Sequence, residues 1–430
     1  FKMFKNRLIK YLFLFIISLF SAHENLNADT LDEILKLTFS TNKQLILSRT
    51  NLESSKRSIE ISKSALGIDL TASFNGSKDW DLSNSQNNDS YSNSIIGRYN
   101  LFDGNFSKNK VLLAQTSFDI SKLKLLELEQ TILLDTINTY LNVLRDEKLV
   151  ELSSNNVAVL ERQYLEIIDR FELGEVTRTD VSQAESALAA ARANLTAKNG
   201  ALTISKEIFI SLVGISPHKL ISKIPNFQLP LTVDMAKKNS LKNHPKILIA
   251  EKEEKIAKIN IEIAKSQKSP SINLRSILSH SYNNITGNNN SVSLRLEGSI
   301  PIFNSGKINN EIDQAKINYR AQKESSLLVK RLIEQEIALA WSNVLVSESS
   351  IEARKRQVEA SKLAYEGVVV EEKLGTRTTL DVINAEQSLL NARTQLASAE
   401  REHIYAKFAL LAATGELNLK KLNIKTQNKF

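Results

Sequence analysis

The chain repeats itself. Set against itself at an offset of 201 residues, the sequence aligns Asn42 with Asn243, Gly97 with Gly298, Phe102 with Phe303 and Asn142-Val143-Leu144 with Asn343-Val344-Leu345. The densest block sets Leu173, Gly174, Thr177, Asp180, Val181, Ala184, Glu185 and Leu188 against Leu374, Gly375, Thr378, Asp381, Val382, Ala385, Glu386 and Leu389. A register that keeps glycines in step over such a distance means two copies of one structural unit, not chance likeness of helical composition. The copies are read as residues 29–227 and 228–419, with residues 1–28 ahead of them and a basic tail, 420–430, behind.

Within each copy turns are scarce. The 430 residues include only 13 Gly and 6 Pro, well under the usual ~7% and ~5%. From Asn105 to Leu173 there are 69 residues with neither, and from Lys307 to Leu374 only Gly367 interrupts. This predicts long helices at 105–173 and 307–374, each followed after a short turn by a second helix, 177–212 and 378–414. A continuous helix of that length reaches roughly 100 Å, far beyond an ordinary globular helix, so such rods pack along one another as coiled coils. Tyr140, Leu141, Val143 and Leu144 fall on one stripe, with Trp341, Val344 and Leu345 in the second copy. Residues Leu31–Ala65 and Val233–Gln267 predict a helix in each copy, with Pro245 either opening a helix of its own or interrupting one.

Between these helices lie short β-type segments. Val292, Leu294, Leu296, Gly298, Ile300 and Ile302 alternate with Ser291, Ser293, Arg295, Glu297 and Ser299, one apolar and one polar face at period 2. Strands are expected at about 69–80, 91–102, 271–282 and 292–303, with Asn-rich hairpin tips at 83–89 and 283–290. About 11 residues is the length of a tilted transmembrane strand. Trp80, Tyr91, Tyr99, Phe102, Tyr282 and Phe303 lie near strand ends, as in an aromatic girdle. A small soluble sheet with half-buried strands fits the alternation equally well.

Lys2, Lys5, Arg7 and Lys10 precede the apolar run Tyr11–Phe20, and small residues follow at Ser21-Ala22 and Ala28, the order of a secretory signal peptide spanning 1–28. Removing it takes four basic residues and Glu24 from a net charge of +8, leaving +5. With no cluster of basic residues among aromatics, no nucleic-acid partner is expected. After the signal no apolar run reaches 18 residues, so a mature chain that crosses a membrane must do so as a β-barrel. The chain has no Cys, and its five His are scattered; this excludes disulfides, thiolate chemistry and the usual metal or triad motifs. No catalytic residue, cofactor or metal is expected, and no phosphate-binding Gly-rich loop occurs.

Each long helix ends in a turn of the same construction: Arg170-Phe171-Glu172-Leu173-Gly174-Glu175-Val176-Thr177-Arg178-Thr179-Asp180, and Glu371-Glu372-Lys373-Leu374-Gly375-Thr376-Arg377-Thr378-Thr379-Leu380-Asp381. Gly174 and Gly375 suit a left-handed helix stop. Thr177 with Asp180, and Thr378 with Asp381, suit capping boxes on the next helix. Local structure alone accounts for both turns.

The signal, the duplicated helix-strand-strand-helix unit, the segment Gly375-Thr376-Arg377-Thr378 followed by Asp381-Val382, and the strand ends Phe102-Asp103-Gly104 and Pro301-Ile302-Phe303-Asn304-Ser305-Gly306 together resemble the TolC family of outer-membrane efflux channels. The resemblance covers nearly the whole mature chain. It implies a mainly α protein with a β-barrel part: a homotrimer whose chains each give four strands to one 12-stranded barrel in outer-membrane lipid, above a coiled-coil tunnel in the periplasm of a Gram-negative bacterium. Residues 199–232 and 415–430 would form an equatorial belt. It further implies a passive conduit for efflux of small molecules or type I protein secretion, opened by an inner-membrane transporter and a periplasmic adaptor. By the same resemblance Asp381 matches a cation-binding ring at the tunnel entrance, with Asn384 where a second Asp is usual. Asp180 and Arg377 match a latch between neighbouring hairpins, in which Glu372 replaces a tyrosine and would repel Asp180 or compete for Arg377. Leu173-Gly174 and Leu374-Gly375 match adaptor-docking grooves. Composition alone would also fit a periplasmic or surface coiled-coil structural protein.

Overall fold

The computed structural model describes residues 30–81, 86–225 and 227–424. The expected signal segment 1–28, residues Ser83–Ser85 of the first expected hairpin tip and the end of the tail lie outside them. The chain runs α1 (Leu31–Thr41), α2 (Lys43–Ser64), β1 (Ile68–Asp81), β2 (Gln86–Phe102), α3 (Phe106–Glu172), α4 (Arg178–Val213), α5 (Val233–Asn243), α6 (Pro245–Ser266), β3 (Ser271–Asn283), β4 (Gly287–Ser299), α7 (Lys307–Lys373) and α8 (Thr379–Ala413). The fold is mainly helical with one four-stranded sheet.

The first helix of each copy divides where one was expected. Asn42 and His244 hold extended backbone, with ψ of 126° and 124°, and each caps the helix that follows. The Asn42 side-chain oxygen accepts from the Gln44 and Leu45 N–H groups at 3.0 and 3.2 Å, and His244 Nδ1 accepts from Lys246 N–H at 3.2 Å. Pro245 sits at the first turn, where its missing N–H is not needed. The structural counterpart of Asn42 is thus His244 and not Asn243. Lys43–Ser64 stands against Pro245–Ser266 at an offset of 202, whereas Phe106–Glu172 stands against Lys307–Lys373 at 201. The hairpin between them is one residue longer in the first copy.

Both α3 and α7 are 67 residues long. Helix α3 packs on α2, α4, α6 and α8, while α7 packs on α5, α6 and α8, so the rods lie side by side as their length requires. The expected stripe is largely the core. Tyr140, Leu141 and Val143 are buried with Leu31, Leu35, Phe209, Phe408 and Leu411, and the Tyr140 hydroxyl donates to Ile221 C=O at 2.6 Å. Val344 lies in a second cluster with Ile333, Ile337 and Leu410. Leu345, expected on the same stripe, is half exposed.

The expected belt segment 199–232 overlaps the expected second helix 177–212, and the structure divides it accordingly. Residues 199–213 complete α4, which leaves 214–232 as the irregular stretch. Leu417, Leu419, Leu422 and Ile424 are buried in the main core, so the first part of the expected basic tail is packed structure. Gly415 makes this turn possible. Its φ is +74°, and an added Cβ would lie 2.9 Å from His244 Cα.

All four strands pair antiparallel in the order β1-β2-β3-β4, so the central β2–β3 ladder joins the two copies. The expected Asn-rich tips shrink because cross-strand pairing draws Asn88, Asp89, Asn283 and Asn288–Asn290 into the ladders. Strand β4 ends at Ser299, two residues before Pro301, which has no N–H to extend the ladder. Ile68, Leu70, Phe74, Tyr91, Ile95, Tyr99, Leu278, Tyr282, Val292, Leu294 and Leu296 are all exposed and all on one face. Serines line the other: Ser73 bonds Ser94 at 2.7 Å, Ser77 bonds Ser90 at 2.8 Å and Ser279 bonds Ser291 at 2.7 Å. An apolar face turned outward and a polar face turned inward is the pattern of a transmembrane barrel wall, the reverse of a soluble sheet packed on a core.

Candidate functional site

The two expected tip turns form at the same end of the rods, opposite the sheet. At the first, Gly174 takes φ +77° and the Glu175 N–H returns to Arg170 C=O at 2.9 Å. At the second, Gly375 takes φ +76° and the Thr376 N–H returns to Glu371 C=O at 3.0 Å. Both turns are helix stops of the kind that requires a left-handed residue. Leu173 and Leu374 are each 74% exposed on these turns, without an apolar partner to cover them.

The second helix of each pair starts on a capping box. Asp180 Oδ2 accepts from the Thr177 N–H at 2.9 Å and hydroxyl at 2.7 Å, and Asp381 Oδ2 accepts from the Thr378 N–H at 2.9 Å and hydroxyl at 2.8 Å. These bonds hold both carboxyls below the usual Asp range. The Thr177 hydroxyl contributes most at Asp180 and the Thr378 N–H most at Asp381. Both carboxylates are therefore ionised at the mouth of the rods. Asn384, one turn beyond Asp381, is exposed.

The charged residues at the tips divide differently from a simple latch. Arg377 Nε donates to Glu371 Oε2 at 2.9 Å within its own turn. Glu372 pairs with Arg170 across the two hairpins, Nη1 to Oε1 at 2.6 Å, and Arg170 Nε also reaches Glu175 at 3.3 Å. The Glu372 side chain is only 14% exposed in this bridge. Among the described residues Asp180 and Arg377 share no hydrogen bond or ion pair within one chain. The tip thus brings together Arg170, Glu372 and Glu175, and separately Arg377 with Glu371.

Arg170 was not singled out from the sequence. A signal existed: at the repeat offset Arg170-Phe171 stands against Glu371-Glu372, a charge reversal just ahead of the Leu-Gly stop shared by both copies. Behind the bridge lies a cavity of ~220 Å³ whose lining includes Gln163, Arg170, Tyr365, Glu372 and Val382. Deeper still, Glu386 is buried, and burial pushes its carboxyl up, opposed by Arg393 and the Tyr365 hydroxyl. Its repeat mate Glu185 is exposed. No group of side chains among the described residues could hold a metal ion, and no helix among them is long and apolar enough to cross a membrane.

A membrane-type sheet at one end of a bundle of 67-residue helices, with ionised carboxylates and bare leucines at the other, defines an outer-membrane channel with a helical tunnel. The sequence profile described as outer membrane efflux protein matches residues 35–214 and 237–416, one match per repeat, and the chain belongs to that family. The outer membrane efflux protein BepC of Brucella suis biovar 1 is 29% identical over 403 residues, covering 92% of this chain and 88% of that protein. The outer membrane protein TolC of Escherichia coli is 25% identical over 353 residues, covering 74% and 71%. In fold, the chain matches the crystal structure of the CmeC outer membrane channel of Campylobacter jejuni with a TM-score of 0.81, at 15% identity, over 90% of this chain and 85% of that one. The family consists of channel proteins and not enzymes, and its location is the outer membrane.

Proposed function

We propose that the chain is the outer-membrane duct of a tripartite export system, a passive conduit opened by an inner-membrane transporter through a periplasmic adaptor. The observation that carries this reading is the placement of two turns of matching construction, with exposed Leu173-Gly174 and Leu374-Gly375, at the end of the rods farthest from the membrane sheet. Bare leucines on rigid helix stops suit the apolar tip of an adaptor hairpin. Sharing of one barrel by several chains follows from the strand count. Four strands are below the roughly eight that the smallest barrel requires, and β1 and β4 have open edges in the single chain. With three chains, as the resemblance to the TolC family implies, twelve strands close one barrel.

In the trimer Asp381 would supply one carboxylate per chain to a ring at the tunnel entrance, with the neutral Asn384 behind it. Rings of Asp select for and bind cations. Arg377 would reach Asp180 of the neighbouring hairpin in the closed state, exchanging its own-turn partner Glu371 for it. The Arg170–Glu372 bridge supports this reading, because it occupies Glu372 and relieves the repulsion that residue would otherwise exert on Asp180. Opening then means separating charge-assisted pairs, a two-state change of the kind a partner's binding can drive. Single-channel recording of the detergent-purified protein, with and without millimolar divalent cation, tests the whole. Small openings blocked by the cation are expected. A protein that never inserts would favour a periplasmic coiled-coil structural role.

A further inference from the structure

The register of the sheet places three arginines abreast. Arg98 on β2 faces Arg275 on β3, and Arg275 faces Arg295 on β4, while Asp69 on β1 closes the row opposite Arg98. Directly opposed residues on neighbouring strands have Cβ atoms roughly 5 Å apart, and like charges there repel. Nothing offsets this within the chain: among the described residues none of the three guanidiniums has a hydrogen bond or an ion pair. The Asp69 carboxylate is taken by the Thr71 hydroxyl at 3.1 Å. Arg275, the central one, has its Nε buried without a partner.

The row lies on the serine-lined face, the side of the sheet opposite the exposed apolar residues. In β2 and β3 residues of this face, such as Ser92, Ser94, Ser279 and Ser281, are partly covered, while their apolar neighbours Ile95 and Leu278 are exposed, so the sheet is concave toward the arginines. The convex face carries charge only at Lys78 and Asp89, which pair with each other at 3.6 Å near the far end. Glu297, two residues beyond Arg295, is the other nearby acid on the concave face. Arg275 lies four residues from the start of β3 and Arg98 and Arg295 four from the ends of β2 and β4, about 13 Å from the junction with the helices.

We propose that Arg98, Arg275 and Arg295 form an anion-binding belt at the base of the barrel lumen, which engages carboxylate, sulfonate or phosphate groups of solutes in transit. This rests on the channel reading above, since only barrel closure makes the concave face a lumen. In a barrel of three chains the row recurs three times, giving nine guanidiniums against three Asp69 and three Glu297 carboxylates. Guanidinium forks match carboxylate and phosphate geometry bidentately and are weakly hydrated. On a passage wall of one sign, several such groups with no partner of their own raise the local positive potential and attract and briefly hold an anion, as rings of Arg or Lys do in anion pores. The duct would then present opposite signs at its two ends: Asp381 at the tunnel entrance and arginines at the base of the barrel.

Inorganic tripolyphosphate added to the barrel side of the purified trimer in a planar bilayer, opposite the hairpin tips, tests the belt, because it reaches the barrel without passing the entrance. Wild type should show a concentration-dependent current block from this side. The triple variant Arg98→Gln, Arg275→Gln, Arg295→Gln should raise the half-blocking concentration tenfold or more. The single variant Arg275→Lys, which keeps the charge, should retain most of the block and guards against loss through misfolding. Channels in which wild type is not blocked, or in which the triple variant is blocked equally, would overturn the belt and leave the duct reading standing. A preparation that forms no channel would remove both.

Discussion

At the residue scale the two tip aspartates do the same local work and differ in what surrounds them. Each is locked to a threonine cap, so each is ionised well below neutrality. Because the folded pKa of Asp381 is depressed, its charge persists as pH falls and is lost only below the ordinary Asp range near 4. Divalent block in single-channel recordings should therefore be constant from neutral pH to about 4 and weaken only below that. Asp381→Ala should weaken the block at all pH values, and Arg377→Ala should raise conductance with the block retained. Unchanged traces in both variants would remove the ring and latch roles. A different outcome is expected for Glu372→Gln. It leaves Arg170 in contact with Glu175 but breaks a 2.6 Å bridge in which the acid is largely covered. Losing one partner of such a pair costs about 1–3 kcal/mol, so the open fraction should rise several-fold. No rise would mean that the bridge is structural packing between hairpins.

At the element scale, what was legible in the sequence is what local chemistry decides. The tip-side ends of α3, α4, α7 and α8 fall within one residue of expectation because Gly174, Gly375, Thr177 and Thr378 fix them without help from distant parts of the chain. Strand β4 was legible from its period, but its end was misplaced where Pro301 stops pairing, and the Asn-rich tips were misread because pairing partners, not propensity, decide their state. The Arg170–Glu372 bridge joins residues 202 apart in sequence, and the arginine row exists only once β2 meets β3. No local pattern encodes either. The breaks at Asn42 and His244 lie between these cases, since Pro245 announced one and nothing comparable announced the other.

His244 gives this break a pH dependence. Burial, with Lys246 alongside, depresses its pKa to about 4, so it stays neutral when folded. An unfolded chain takes up the proton below about 6.5. Stability is thus fully present above pH 6.5 and is lost progressively as pH falls toward 4, by up to roughly 3 kcal/mol per chain. His244→Asn keeps a capping side chain of the kind Asn42 provides and removes the titration. Urea unfolding of the variant between pH 4 and 7 should lose this part of the pH slope. An unaltered slope would place the dependence elsewhere.

At the scale of the whole molecule, the sheet has opposite tolerances on its two faces, and one pair of neighbouring residues can show it. Leu294 and Ser293 sit mid-strand in β4, Leu294 exposed on the apolar face and Ser293 on the serine face. If the strands form a barrel wall, a lysine at Leu294 meets hydrocarbon near the bilayer midplane, at about 2–4 kcal/mol per chain. Three chains share the barrel, so the penalty is applied three times to one assembly. Leu294→Lys should abolish the SDS-resistant trimer in outer-membrane fractions. Ser293→Lys adds the same charge one residue away and should leave the trimer intact, its side chain solvated in the lumen two residues from Arg295 and adding to the positive potential there. A soluble sheet with its polar side to water would tolerate neither face differently, because the apolar face is already exposed in the single chain. Equal trimer yields from the two variants would therefore contradict the barrel closure on which both the export reading and the arginine belt depend.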